Sequence, residues 1–359
     1  MNRRTENFMR SALLQMIGWA MAAGLFSVLR YGGLQHEVFL SQADLSRLDF
    51  GYLVWSAAAA GAVIGLAYGL LGLVLERPRL RRLPYGFLIA TQTGFHLLIM
   101  ALVLSVITAF DVSKADGSLS WEGWSGVMFS SFTGVILLYT SLVSFTFNFV
   151  KQVNRKSGPG NLMKLLLGKY YHPREERRIF MFLDLKDSTA CAEQLGHLRF
   201  SRLIQSCFHD LSVVARHRAQ VYQYVGDEVI LCWEVDEGVE DANCVRSFFE
   251  FTRLLREREN VYRQNFGLVP EFKAGIHIGP ATVAEVGEIK REISYLGDTL
   301  NTAARLQGKC NELQESVLVS SQVLEVLGRP RGLRFESKGC LQLKGKDEPV
   351  VVYGVHQTH

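Results

Sequence analysis

The stretch VYQYVGDEVILCW, residues 221–233, places two apolar and aromatic runs on either side of the pair Gly226-Asp227. That pattern reads as two strands joined by a tight turn, since glycine accepts backbone angles at a bend that other residues resist. The turn pushes the carboxylate of Asp227 out at the hairpin tip. Something has to meet that charge, and the surrounding chain indicates what.

Upstream, RIFMFLDL (178–185) is a strand-like run ending on a second acid, Asp184. Lys186, Asp187, Ser188 and Thr189 follow, and the small hydroxyl residues open a helix whose backbone N–H groups could hold phosphate oxygens. Asp187 or Ser188 as a simple helix cap is the plainer reading of the same four residues. Two carboxylates at the ends of neighbouring strands repel each other unless a cation or a proton lies between them. Magnesium suits the place, because it prefers hard oxygen ligands and usually takes one or two protein carboxylates together with substrate phosphates. Two such ions can activate a hydroxyl and steady a leaving oxygen.

The rest of residues 151–359 reads as an α/β sandwich. A helix is expected over about 188–218, another near 240–264, a strand at FKAGIHIG (272–279), and a helix around TLNTAARLQGKCNEL (299–313). Two strands, LRFESKGCLQLKG and PVVVYGV, close the chain. Asp298 reads as the cap of the helix that follows it. No internal repeat is visible.

Of the 359 residues 48% are hydrophobic, high for a soluble enzyme, and the excess is confined to residues 1–150. Four apolar stretches stand there, at 11–29, 52–75, 85–110 and 126–150. At about 1.5 Å rise per residue each covers the roughly 30 Å hydrocarbon core as a helix. A removable signal peptide is the rival for the first, but the run is long and no small-residue cleavage site precedes the next span. Lys and Arg collect at the N-terminus (Arg3, Arg4, Arg10), in the loop 76–84, and after the last span (Lys151, Arg155, Lys156). The positive-inside rule then puts both termini in the cytoplasm of a multi-pass cell-membrane protein. The segment 151–178 is a connector, broken at Ser157-Gly158-Pro159-Gly160 and resuming as a short amphipathic helix.

The six cysteines all lie in the cytoplasmic half without CxxC spacing, so free thiols are expected rather than disulfides or a zinc site. The net charge of +4 needs no nucleic-acid partner, because juxtamembrane basic residues facing anionic lipid account for much of it. Inside the third span, Gln92, Thr93 and His96 are polar at membrane depth. An unknown ligand of the membrane domain is one explanation, and hydrogen bonding between helices, with Tyr139, Thr140 or Ser144, is the commoner one.

Five blocks in order, FMFLDLKDST, YVGDEVIL, GIHIGP, ISYLGDTLNTAARL and LQLKGKDEPVVVYGV, resemble the catalytic domain of class III adenylyl and guanylyl cyclases over roughly residues 178–357. The resemblance implies a ferredoxin-like α/β cyclase domain, residues 179–359, behind a four-span helical membrane domain. It also implies a homodimer with active sites at the subunit interface, two Mg²⁺ or Mn²⁺ ions per site, and ATP converted to cyclic AMP and pyrophosphate. By motif, Asp184 and Asp227 match the metal ligands, with the Leu185 carbonyl assisting. Asn301 and Arg305, four apart and so on one helix face, match the pair that orients the ribose and steadies the α-phosphate. Lys344 matches the terminal-phosphate lysine, and these three would come from the opposite subunit.

One departure lies in the opening stretch. Where adenylyl members usually carry a base-reading Lys four residues before the second metal Asp, this chain has Gln223, and the partner position is Ser294. A carboxamide offers both a donor and an acceptor, so adenine fits and guanine is the alternative. Guanylyl members typically carry Glu and Cys there, which favours ATP. YVGDEV also has a likeness to the GGDEF hairpin of diguanylate cyclases, but the second Gly is missing and the Asn301/Arg305 helix and LKGK argue otherwise. A membrane receptor that binds nucleotide without turnover is the third alternative.

Overall fold

The computed structural model describes residues 3–41, 50–75, 84–116, 120–157, 161–342 and 348–358. The chain separates into two units, Met1–Lys156 and Ser157–His359.

The first unit is helical, with α1 (Arg3–Ser41), α2 (Phe50–Leu75), α3 (Tyr85–Asp116), α4 (Trp121–Met128) and α5 (Ser131–Ser157). Three helices carry stretches apolar and long enough to cross a bilayer, Ala12–Arg30, Gly86–Phe110 and Ser131–Asn154, while α2 contributes the shorter apolar segment Val54–Leu70. The apolar run 126–150 is not one helix. Ser130 interrupts it, its hydroxyl accepting from the Thr133 N–H at 3.3 Å in the manner of a cap, and α5 starts there.

Some polar groups inside this unit pair across helices, whereas the buried Gln92 Oε1 makes no hydrogen bond. His96 Nδ1 and Ser144 Oγ lie 2.6 Å apart, and the His96 ring stacks on Tyr68 at 3.9 Å. The Tyr68 hydroxyl donates to the His96 carbonyl at 2.8 Å. Tyr139 takes a different partner from the one expected, donating to the Ala22 carbonyl at 2.8 Å. Of the expected partners, Ser144 is thus the one that meets the His96 ring.

The second unit begins with α6 (Asn161–Leu166) and β1 (Arg174–Leu185), so the first strand starts inside the stretch read as connector. Then come α7 (Ser188–Asp210), β2 (Gln220–Val225), β3 (Glu228–Glu234), α8 (Val235–Val239), α9 (Asn243–Glu257), α10 (Glu259–Phe266) and β4 (Phe272–Val286). β5 (Glu292–Leu296), α11 (Asp298–Lys309), β6 (Val317–Ser320), α12 (Ser321–Leu327), β7 (Leu333–Leu341) and β8 (Val350–Gln357) complete it. The single helix expected over 188–218 kinks at Gly196 and tightens into a 3₁₀ turn over Leu211–His217. β5 and β6 have no counterpart in the sequence reading.

The sheet runs β2-β3-β1-β4-β6-β8-β7, with β5 paired to the far half of β4. Its first four strands, with α7 between β1 and β2 and α9 between β3 and β4, form the ferredoxin-like βαββαβ unit. Alternation along β1 decides what faces where. Ile179, Met181, Leu183 and Leu185 share the core with α7, α9 and α10, whereas Phe180 and Phe182 pack with Tyr295 and Ala303 on the other side. Asp184, of the same parity as Phe180 and Phe182, therefore opens onto the side covered by α11. Burying each large apolar side chain contributes about 1.5–3 kcal/mol, which holds β1 in place against the cost of its buried acid.

Candidate active site

The hairpin forms as the opening stretch indicates. Val225 pairs with Glu228 across a two-residue loop, and Gly226 at φ 63° takes the left-handed angle that the turn requires. β3 lies beside β1 with Asp184 opposite Glu228, and β4 lies on the other side with Lys273 opposite Asp184. Three charged side chains thus stand in one row at the end of the sheet.

Asp184 and Asp227 come together. Burial pushes the Asp184 carboxyl above the usual carboxylate range, and the neighbouring Asp227 raises it further through its charge and a hydrogen bond. Lys273 Nζ at 3.6 Å and Gln307 Nε2, donating to Asp184 Oδ2 at 2.9 Å, act in the opposite direction. Glu228 is pushed up to about 7, by burial first and then by the charges of Asp184 and Asp227. Such a concentration of negative charge fits a divalent cation. Among the described residues no three His, Cys, Asp or Glu side chains converge as a complete cage. A pair of carboxylates is a partial oxygen set of the kind a hard divalent cation takes when phosphates complete it.

α11 is pressed onto β4 because Gly275 leaves room. A Cβ there would sit 2.2 Å from the Gln307 nitrogen and 2.3 Å from the Ala303 carbonyl oxygen. Asn301 and Arg305 lie one turn apart on this helix, Asn301 exposed and Arg305 half-buried. Arg305 Nη1 is buried, makes no hydrogen bond and lies 3.9 Å from Asp298 Oδ1. Asp298 is not the cap. Gly297 holds that position at φ 143°, and Asp298 is the first helical residue, accepting from Thr302 Oγ1 at 3.3 Å.

Asp187 occupies the cap position of α7 in a left-handed conformation, φ 53°, and makes no side-chain cap bond. Ser188 and Thr189 open that helix, half-buried and exposed respectively. Gln223 is exposed on β2 and Ser294 half-buried on β5. The two are not bonded to each other, and Ser294 Oγ lies 3.3 Å from the Tyr222 hydroxyl instead. Lys344 lies outside the described residues. All six cysteines are free thiols.

Glu228, Lys273, Gln307 and Tyr222 escape the sequence reading. Glu228 adjoins Asp227 and could have been marked by that alone. Lys273 and Gln307 reach the site through strand register and helix packing, for which a single sequence carries no signal.

Paired strand-end carboxylates on a ferredoxin-like sheet, braced by Gln307 of α11, are the features a metal-bound nucleotide would call for. Residues 170–357 match the adenylate and guanylate cyclase catalytic domain, just over half of the chain. The chain belongs to that family. It is 32% identical over 309 residues to adenylate cyclase 2 of Rhizobium meliloti (strain 1021), covering 83% of this chain and 84% of that protein. It is 30% identical over 181 residues to adenylate cyclase 1 of the same organism, covering 49% of this chain and 27% of that one. Among solved structures, a bacterial light-regulated adenylyl cyclase has the same fold, with TM-score 0.52 at 19% identity over 63% of this chain and 67% of that one.

Proposed function

We propose that this chain is a membrane-anchored adenylyl cyclase that works as a homodimer, with four spans and both termini in the cytoplasm, converting ATP to cyclic AMP and pyrophosphate. The observation that carries the reading is the meeting of Asp184 and Asp227 at the tips of β1 and the β2–β3 hairpin, where the charge of Asp227 helps to raise the Asp184 carboxyl. Asp184, Asp227 and the Leu185 carbonyl would hold Mg²⁺ or Mn²⁺, two per site. Such ions, when bound, favour deprotonation of the ribose 3′-hydroxyl and offset phosphate charge.

The chain's own residues do the remaining work by positioning. The 3′-oxygen attacks the α-phosphorus in line, and the bond to pyrophosphate breaks, so no covalent enzyme intermediate is needed. Asn301 of one subunit orients the ribose. Arg305 beside it donates to the α-phosphate oxygens as charge builds there. Lys344 takes the terminal phosphate, and Ser188 and Thr189 at the start of α7 offer hydroxyl and backbone donors to phosphate oxygens. Gln223 and Ser294 read the purine edge. GTP is the alternative substrate, because a carboxamide can turn to suit either base.

The test is turnover by the purified full chain in detergent with Mg²⁺ or Mn²⁺, given ATP or GTP separately. Cyclic AMP and pyrophosphate in equal amounts from ATP, exceeding cyclic GMP from GTP, is the expected result. A preference for GTP overturns the assignment of the base. Nucleotide binding without product from either overturns the enzyme in favour of a receptor.

A further inference from the structure

We propose that Tyr222 is a positioning residue of the purine pocket, whose hydroxyl fixes Ser294 and thereby sets the choice between adenine and guanine. The proposal deepens the cyclase reading above and rests on it.

Gln223 and Ser294 come from strands that are not neighbours. β2 is the edge of the sheet beyond β3, and β5 pairs only with β4, so β3, β1 and β4 lie between them in the pairing order. Regular pairing provides nothing to hold the two residues at a fixed spacing. β2 solves this with a bulge. Val221 pairs with Leu231 and Gln223 with Ile230, leaving Tyr222 as the extra residue. Leu231 belongs to the α7–α9 core and Ile230 to the α11 side. The bulge therefore turns Gln223 toward the α11 side, where the Tyr222 ring also packs.

From there Tyr222 reaches β5 with two hydrogen bonds. Its oxygen accepts from the Tyr295 N–H at 3.3 Å, and the same oxygen lies 3.3 Å from Ser294 Oγ. Its ring meets that of Tyr295 edge to face, with centroids 5.0 Å apart at 89°. Among the described residues these are the side-chain hydrogen bonds that join β2 to β5. A phenol oxygen that already accepts from a backbone N–H is best placed to donate its single proton to Ser294 Oγ. Ser294 then keeps its own O–H to present to the polar edge of a purine, beside the Gln223 carboxamide. The neighbour of the base-reading residue thus holds its partner in orientation without touching the substrate itself.

The experiment is steady-state kinetics of the full chain in detergent with ATP and with GTP, for wild type, Tyr222→Phe, Ser294→Ala and the double variant. Tyr222→Phe keeps the ring against Tyr295 and removes only the hydroxyl. It is expected to raise KM for ATP by roughly 3- to 10-fold, to change kcat by less than about twofold, and to lower the ATP-over-GTP ratio of kcat/KM by a similar factor. Ser294→Ala should reproduce this, with the double variant no worse than Ser294→Ala alone. Unchanged KM and preference in Tyr222→Phe would overturn the proposal. So would additive effects in the double variant, or an equal loss of kcat for both nucleotides together with a lower Tm, which marks a purely scaffolding role. A wild-type chain that turns over neither nucleotide defeats the cyclase reading and this proposal with it. An active wild type indifferent to Tyr222→Phe defeats this proposal alone.

Discussion

Gln307 Nε2 donates to Asp184 Oδ2 at 2.9 Å, so the helix that carries Asn301 and Arg305 also grips the first of the paired carboxylates in its own chain. Gln307 is nearly fully buried, and its amide is one of two groups that counter the crowding of negative charge around Asp184, Lys273 being the other. Gln307→Leu removes that donor while keeping comparable bulk. Turnover is expected to fall roughly tenfold, in line with about 1.5 kcal/mol for a hydrogen bond to a charged group. Rates measured across a series of Mn²⁺ concentrations check this, and a rate equal to wild type at every concentration would remove Gln307 from the site.

Gly275→Ala tests how tightly α11 must sit. Its new methyl would meet the backbone of Gln307 and Ala303 at 2.2 and 2.3 Å, and backbone cannot step aside as a flexible side chain can. The helix has to lift, at a cost of about 1–3 kcal/mol. Arg305 and Gln307 move with it, so activity should drop by more than stability alone explains. Thermal unfolding and turnover on the same preparation separate the two effects.

What the sequence disclosed depended on whether the information was local. The Gly226-Asp227 turn, the acid ending β1 and the i,i+4 pair Asn301/Arg305 are written in adjacent residues, and each sits in the element expected of it. Asp298 was misplaced by one position because an acid before a helix looks like a cap, while Gly297, at an angle only glycine adopts readily, takes that place. The break at Ser130 was hidden inside an apolar run that looked continuous. β5, which carries Ser294, is a five-residue edge strand whose pairing with β4 depends on contacts made elsewhere in the fold. The Tyr222 bulge was invisible for the same reason, since its evidence is a register shift between two strands.

The base of the β2–β3 hairpin is braced by a charge network that responds to pH. His217 Nε2 and Glu250 Oε2 lie 2.5 Å apart, Arg216 Nη1 donates to Glu250 Oε1 at 2.8 Å, and the His217 carbonyl accepts from Trp233 Nε1 of β3 at 2.8 Å. Burial alone would raise the Glu250 carboxyl. The hydrogen bonds and charges of His217 and Arg216 outweigh it and hold the group below its usual value of 4.5. A carboxyl depressed in the folded state contributes stability that is present above the unfolded value and is lost as pH falls through the folded one. Glu250→Gln should therefore loosen the hairpin near pH 7, by about 1.5 kcal/mol, with the difference from wild type shrinking as the pH falls through the depressed folded-state value and vanishing below it. Hydrogen–deuterium exchange of hairpin peptides, compared between variant and wild type at each pH, reads this directly. A gap that persists unchanged at low pH would show that charge is not what braces the hairpin.

If active sites are shared across a homodimer, two dead chains can make one live site. Asp227→Ala lacks a metal carboxylate but keeps Arg305, and Arg305→Ala lacks the guanidinium but keeps the carboxylates. In a mixed dimer one interface combines both defects and the other combines neither. Random pairing makes half the dimers mixed, each with one working site of two, so co-expressed variants should recover about one quarter of wild-type activity while each alone stays near zero. The level matters as much as the recovery. Pairing biased toward mixed dimers raises it to about one half at most, whereas sites contained within single chains give no recovery at any mixing ratio. Co-expression followed by copurification through two different tags isolates the mixed dimer and removes the dependence on mixing. Activity in that fraction would require that Arg305 of one subunit act on a nucleotide held at Asp184 and Asp227 of the other.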